Sequence, residues 1–544
     1  MIVAGARAID YLQGIDLPDH HIERPKMTAH GDYASNIGLV VATLVRRPPQ
    51  EIARDIAARL DLDPLRIEKV EVVPPGFINF YVTTQWLQKS LNEIIQADVD
   101  YGRSASGERR HVQVEFVSAN PTGPLNVVSA RAAAVGDALA NILQSTGHDV
   151  SREYYVNDAG RQMDLLALSV EAAYLRLLGY AADGPEGGYK GGYIEDMAAT
   201  IRDREGDALS TLALEDRRDR FRQMVLNEIL EHQKETLGQF RLVYDTWFSE
   251  STLRQSGALD QVVRKLSEAN AVYQQDGATW FASTRFGDEK DRVLITSEGQ
   301  PTYFLADIAY HVNKFERGFE WVIDLWGPDH HGHIARMKAA MKALGYDPRA
   351  LELKIVQQVN LLQGGEKAKM SKREGRLVTM RELIAEVGVD AARFFFLMRK
   401  TSAHLDFDLD LATSQSEENP VYYVQYAHAR ICSILRHAGA AQADAVVTPA
   451  GDVSLLTSAE EISLIRHLVM YPEAVESSAR NLEPHGLTTY LQDVAGAFHP
   501  FYHQHRVVTG AAALTAARLT LVQAVRIVLR NGLSLLGISA PEQM

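Results

Sequence analysis

Apolar positions along the chain switch repeatedly between a period of two and a period near 3.6, so strands and helices alternate through its middle. The plainest switch lies at 112–149. Val112 to Phe116 predicts a short strand, and Ser118, Asn120, Pro121, Gly123 and Pro124 predict a turn. Val135, Leu139, Ile142 and Leu143 then recur at helical spacing before Gly147 closes the helix. Strand, tight turn and helix in this order open a nucleotide-binding α/β sheet, whose exposed helix-start N–H groups favour phosphate.

The flanking pattern divides the chain into three. In residues 1–103, PQEIARDIAARL predicts an amphipathic helix and GFINFYVT a strand with aromatics at alternate positions. HGDYASNIG (30–38) reads as a polar turn entering an apolar helix, with Asp32 or Ser35 as its cap. No catalytic constellation gathers there, so this is an accessory domain. Residues 104–400 hold the α/β domain. SREYYVNDAGRQMDLLALS predicts a strand, a turn and a long helix, and a stretch at about 165–290, Gly-rich, then acidic and helical, then DTWFSES and strand-like segments, reads as an insertion between two halves of a sheet. PTYFLADIAYHVNKF predicts a helix, WVIDLWGPDHHGHI a strand ending in a histidine-rich turn, and LKIVQQVNLL a further strand. Such alternation implies a parallel sheet with right-handed crossovers. Residues 401–544 are helical in pattern, and the part from 421 onward has eight Arg, no Lys and nine acidic residues. A separate helical bundle is expected.

At 544 residues the chain is too long for one core. Its net charge of −14 argues against indiscriminate nucleic-acid binding, though not against a specific RNA met by local basic surface. The single Cys432 excludes a disulfide framework and, at helical spacing among apolar residues, predicts a buried thiol. No signal peptide and no run of about 20 apolar residues is apparent, so a cytoplasmic protein without a membrane anchor is expected.

The sharpest local signal is Lys369-Met370-Ser371-Lys372-Arg373, flanked by Gly364, Gly365 and Gly375. Cations on a glycine-flanked loop suit closure over polyphosphate, with lysines neutralising charge on a leaving pyrophosphate. Asp329, His330, His331 and His333 invite a metal reading, but the spacing lacks a fourth ligand elsewhere and no metal site is expected.

K-M-S-K following a strand–turn–helix phosphate site is the pairing found in class I aminoacyl-tRNA synthetases. The chain resembles the bacterial-type arginyl-tRNA synthetases nearly end to end, in EFVSANPTGPL, REYYVNDAGRQMDLLALS, YDTWFSES, YFLADIAYH, LWGPDHHGHI, KMSKREG, DAARFFFLMR and LLGISAPEQM. The resemblance implies a Rossmann-like parallel-sheet catalytic domain with an insertion, an N-terminal α+β domain touching the tRNA, and a C-terminal all-α anticodon-binding bundle. It implies ATP-dependent activation of arginine, with Mg²⁺ accompanying ATP, and transfer to the 3′ end of arginine tRNA by a monomer that generally needs bound tRNA for activation. Glu115, Ser118, Asn120, Tyr303 and Asp307 match the arginine-holding positions. A guanidinium, a planar fork of N–H donors, requires such carboxylates. Lys369 and Lys372 match the pyrophosphate-stabilising lysines. Asp329, His330, His331, Met370, Ser371 and Lys372 would lie against ATP.

One stretch departs from the family. Its His-x-Gly-His signature, which would serve both ATP binding and catalysis, is here Asn126-Val127-Val128-Ser129. Neither imidazole is present, and losing one such donor typically costs roughly 2.7–4 kcal/mol of transition-state stabilisation. Val128 adds branched bulk where glycine lets a nucleotide approach the backbone. Two readings follow: an arginine–tRNA ligase, and a catalytically impaired synthetase-like protein that binds tRNA or arginine. A nucleotidyl transferase of the same superfold is a more distant third.

Overall fold

The computed structural model describes residues 1–18, 22–25, 27–367, 378–441 and 451–544. Near the N-terminus, an antiparallel sheet runs in the order Ile22–Glu23, Tyr33–Ser35, Phe77–Val82, Ile67–Val73. Helices Ile37–Val45 and Pro49–Ala57 bury Ile37, Val41, Ile52 and Ile56 against Ile78 and Phe80 of that sheet. The HGDYASNIG stretch differs from the expected turn, because Tyr33–Ser35 pairs with Phe77–Val82 as a strand too short for its periodicity to show. Asn36, not Asp32 or Ser35, stands at the N-cap position of the next helix. Asp32 instead accepts the Val82 N–H at 2.9 Å and pairs with Arg466 of the C-terminal bundle at 2.9 Å. Nearby, Glu473 takes Arg24 at 2.8 Å and the Tyr33 hydroxyl at 2.7 Å, so the N-terminal unit docks on the bundle through charge.

The central sheet is wholly parallel, in the order Leu351–Ile355, Trp321–Trp326, His111–Glu115, Asp149–Val156, Thr246–Ser249. Its first strand lies in the middle: the chain adds two strands on one side, then returns to add two on the other. The crossover helix Val127–Ser145 packs close to the sheet, since a Cβ at Gly136 would lie 2.1 Å from the Phe116 ring. Thr246–Ser249 falls within the stretch read as one insertion. That stretch is divided by it into a helical part built on Arg161–Leu177, Gly192–Glu205 and Leu214–Gln239, and a small antiparallel sheet at 272–295. Four residues flanked by polar turns give too little alternation to reveal a core strand.

LKIVQQVNLL is likewise two strands. Leu351–Ile355 ends the central sheet, and Val359–Gln363 pairs in parallel with Leu405–Asp408 in a separate one. The break falls at Gln357, whose carbonyl is held at 2.8 Å by the buried Arg131. Helices from Pro420 onward form the bundle, where Cys432 is buried. Its helix Ala512–Leu535 is long and apolar enough to cross a membrane by length and composition, a property the sequence reading did not register. Here Leu521, Val525, Leu529 and Leu533 are fully buried in the bundle core.

Buried Arg393 joins the parts. It donates to Asp137 of the crossover helix at 2.5 Å, to the Phe240 carbonyl at 3.0 Å and to the Leu536 carbonyl at 2.9 Å.

Candidate active site

Parallel sheets bind ligands beyond the carboxyl ends of their strands, where the strand order reverses. Here that point lies between His111–Glu115 and Trp321–Trp326, and a cleft of about 540 Å³ opens there. Glu115, Ser118 and Asn120 line it from the first strand and its turn, and Tyr303 and Asp307 from the Tyr303–Glu316 helix. The structure therefore gathers in one cleft the five residues matched to arginine.

The floor is ionic. Lys314, fully buried, donates to Glu115 at 2.5 Å and to Asp324 at 2.7 Å. His311 bridges Asp324 (2.7 Å) and the Asp307 carbonyl (2.7 Å). Ser118 Oγ donates to Glu115 at 2.8 Å and accepts the Tyr155 N–H at 3.1 Å, with positive φ at Val117 and Ser118 turning the chain sharply. Burial raises the Glu115 carboxyl against the pull of Lys314. Asp324, equally buried, is nonetheless held below the usual range by Lys314 and His311. Lys314→Ala would leave two buried carboxylates without their cation. We expect it to lower unfolding free energy by about 3–5 kcal/mol in urea melts at pH 7, with a smaller loss at pH 5 where an orphaned acid takes up a proton. A loss under about 1 kcal/mol would show the cluster to be solvated.

Asp307 is different in kind. Its carboxylate has no hydrogen-bond or ion-pair partner among the described residues. Burial, then the charges of Glu115 and Glu250, push its carboxyl well above the usual range, and Arg336 and Lys314 oppose this only in part. Glu250, 1% exposed, shares one oxygen with Arg254 at 2.6 Å while its other oxygen is buried without a donor. The Tyr155 hydroxyl in the same cleft is also buried, and burial, then the charges of Glu250 and Asp307, push it well above its usual range. Three acids thus converge with too few cations between them, and one of them faces open space.

Sequence reasoning missed Glu250, Lys314 and Asp324. For Lys314 a signal existed: Tyr303, Asp307, His311 and Lys314 follow at helical spacing, a polar stripe on a helix otherwise apolar. Glu250 and Asp324 each stand alone in their segments and gave none.

His330 and His333 line the cleft, with rings 5.1 Å apart, while Asp329 and His331 are exposed outside it. Burial, Arg336 and His330 lower His333 to about 4. Among the described residues no three His, Cys, Asp or Glu side chains converge as a metal ion would need. Asn120, at the rim, accepts from Asn157 at 3.2 Å.

Asn126, Val128 and Ser129 do not line the cleft. Asn126 is the N-cap of helix Val127–Ser145, and its Oδ1 accepts from the Ser129 N–H at 3.0 Å and from the Ser129 hydroxyl at 3.3 Å. Val128 occupies the first turn, half-buried. The Ser129 hydroxyl is thus turned onto Asn126, which spends its Oδ1 as the cap and keeps its Nδ2 donor for other use. This turn forms an isolated antiparallel bridge from Asn126 to Thr379, and the Met380 N–H reaches the Leu125 carbonyl at 2.8 Å. Lys369, Met370, Ser371 and Lys372 lie outside the described residues, but the chain re-entering at 378 is stitched to the turn where the family signature would stand.

Three family models match the chain in succession. Residues 5–82 match the arginyl tRNA synthetase N-terminal domain, 90–402 the class I (R) tRNA synthetase catalytic domain, and 424–544 the DALR anticodon binding domain. The arginine–tRNA ligase of Carboxydothermus hydrogenoformans is 50% identical over 536 residues, covering 98% of this chain and 96% of that protein. That of Geobacillus kaustophilus is 50% identical over 533 residues, covering 97% and 95%. Among solved structures, Thermus thermophilus arginyl-tRNA synthetase superimposes with a TM-score of 0.78 at 25% identity, over 100% of this chain and 99% of that one. The Plasmodium falciparum enzyme shares the fold, with a TM-score of 0.76 at 18% identity over 100% and 98%. The cleft at the switch point of the parallel sheet lies in the matched catalytic part, and 50% identity over 95% or more of such relatives places the chain in the arginyl-tRNA synthetase family.

Proposed function

We propose that the protein binds arginine, ATP with its accompanying Mg²⁺, and arginine tRNA, and joins the amino acid to the tRNA 3′ end. The observation that carries the arginine assignment is the partnerless Asp307 carboxylate beside Glu115 and Glu250. A guanidinium satisfies it, being a planar cation whose donors fork onto carboxylates. Lys314 and Ser118 hold Glu115 in place, and Asn120 and Ser118 present polar atoms at the rim to the α-amino and carboxylate groups. In the reaction the arginine carboxylate attacks the α-phosphate, pyrophosphate leaves, and the 2′-hydroxyl of the terminal adenosine then takes the aminoacyl group from the adenylate, releasing AMP. The Val127 and Val128 N–H groups, outside the bond by which Asn126 caps Ser129, suit phosphate oxygens. Lys369 and Lys372 are assigned to the leaving pyrophosphate by resemblance.

One observation favours a second reading, in which binding survives and activation is slow: Asn126 and Ser129 cap a helix instead of offering imidazoles. Calorimetry on the full chain tests the shared premise. Arginine should bind, and citrulline, equal in shape but neutral, should bind weaker by about 10²-fold or more. Equal binding of the two would sink the guanidinium assignment. Arginine tRNA should shift the protein on a gel in either reading, and charging of that tRNA separates them.

A further inference from the structure

Two helices of the insertion reach the turn that follows the first strand of the central sheet. Gln233, fully buried in Leu214–Gln239, donates from Nε2 to the Gly123 carbonyl at 3.2 Å and accepts the Tyr154 hydroxyl on Oε1 at 2.9 Å. Tyr154, also fully buried, lies 3.1 Å from both the N–H and the carbonyl of Ala119. Tyr193, half-buried in Gly192–Glu205, donates to the Thr122 carbonyl at 3.0 Å. The directions of these bonds follow from the groups. A carbonyl only accepts, so Gly123 turns the Gln233 amide nitrogen toward itself and leaves Oε1 for Tyr154. The tyrosine has one proton, which goes to Oε1 at the shorter distance, and its lone pair takes the Ala119 N–H. A buried amide is costly unless paired, and an apolar side chain of that size would fill the space without the cost. Gln233 gains instead a grip on the turn. Ala119, Thr122 and Gly123 bracket Asn120, whose Oδ1 accepts from Asn157 at the rim of the cleft.

We infer that Gln233, acting through Tyr154 and Gly123, is a positioning residue for the amino acid: with Tyr193 it holds the turn 119–123 so that Asn120 meets the α-amino and carboxylate groups of arginine. The helical part of the insertion is thereby a splint for that end of the cleft. A binding group on a turn is only as well placed as the side chains that support it. The acid end is held separately, since Ser118 is fixed by Glu115 and the Tyr155 N–H, and Glu115 by Lys314. This rests on the reading that the cleft takes arginine with its guanidinium at the acids.

The test is Gln233→Met and Tyr154→Phe in the full chain, titrated calorimetrically with arginine and with butylguanidine, which keeps the guanidinium and has neither α-group. Gln233→Met is close in shape and removes both bonds. It should weaken arginine by roughly five- to tenfold, the worth of one or two hydrogen bonds, with butylguanidine unchanged. Tyr154→Phe keeps the ring stacked on Trp247 and should act in the same direction. Tyr193→Phe, nearer the surface, serves where a core variant fails to fold, and should weaken arginine by about two- to threefold with the same selectivity. Melting temperatures report folding, and only a positioning role separates the two ligands. Equal loss of both ligands, or unchanged arginine in the folded variants, would overturn the assignment while the proposed function stands. A wild type binding arginine no tighter than butylguanidine would also overturn it, because Asn120 would then hold nothing. A wild-type chain binding neither would remove the proposed function with it.

Discussion

Restoring His, Gly and His at Asn126, Val128 and Ser129 is expected to raise arginine- and tRNA-dependent ATP–pyrophosphate exchange by roughly 10² to 10⁴-fold over a slow wild type. Each imidazole donor is worth about 10² to 10³ in rate, and such contributions combine less than additively. The same change should cost stability. Asn126 caps helix Val127–Ser145 through Ser129, and an Asn cap is worth about 1 kcal/mol. A glycine in the first turn adds a further cost of up to about 1 kcal/mol. Faster exchange with a lower melting temperature is therefore the signature to seek. A wild-type rate within tenfold of an ordinary synthetase would show that the capped turn still serves the chemistry, and no gain on restoration would place the defect elsewhere.

The second large effect is at Asp307. Asp307→Asn keeps the shape and removes the charge, and should weaken arginine binding by roughly 10²-fold or more, the scale of losing one partner of a buried charge pair. The ligand-free variant should melt higher than wild type at neutral pH. Burial and the neighbouring acids raise the folded-state carboxyl far above 3.8, so the folded protein binds a proton more tightly than the unfolded chain. Its stabilising contribution is complete below the unfolded value and is lost as pH rises through the folded one. Asparagine escapes that loss, so the two proteins should converge in acid and diverge toward alkaline pH. Saturating arginine should reverse the order, since only the wild type gains its counter-ion. Equal melting curves for the two ligand-free proteins from pH 4 to pH 8 would refute the raised carboxyl.

How much of this was legible in the chain depended on length and on company. The crossover helix was plain because nineteen residues repeat one pattern. Thr246–Ser249 was placed in the insertion and not in the core sheet because four residues hold barely two alternations. Asp307 and Tyr303 were found because family likeness pointed to them, and the spacing of His311 and Lys314 on the same helix would have extended the set. Glu250 was invisible, since its importance arises only when a distant helix start is folded against the first strand. Asn126 and Ser129 were read as lost imidazoles, and the mutual cap that replaces them emerged only with helical geometry.

The Arg393 junction bears on how the protein should be handled at the bench. Its guanidinium takes the Leu536 carbonyl, and a Cβ at Gly537 (φ +68°) would lie 2.1 Å from its Nη2. A few residues on, Ser539 and Pro541 are bound by Asp390 and His428. Trimming the last ten residues would strip the buried guanidinium of one acceptor and loosen the seat of the helix that begins at Asn126. An affinity handle belongs at the other end of the chain.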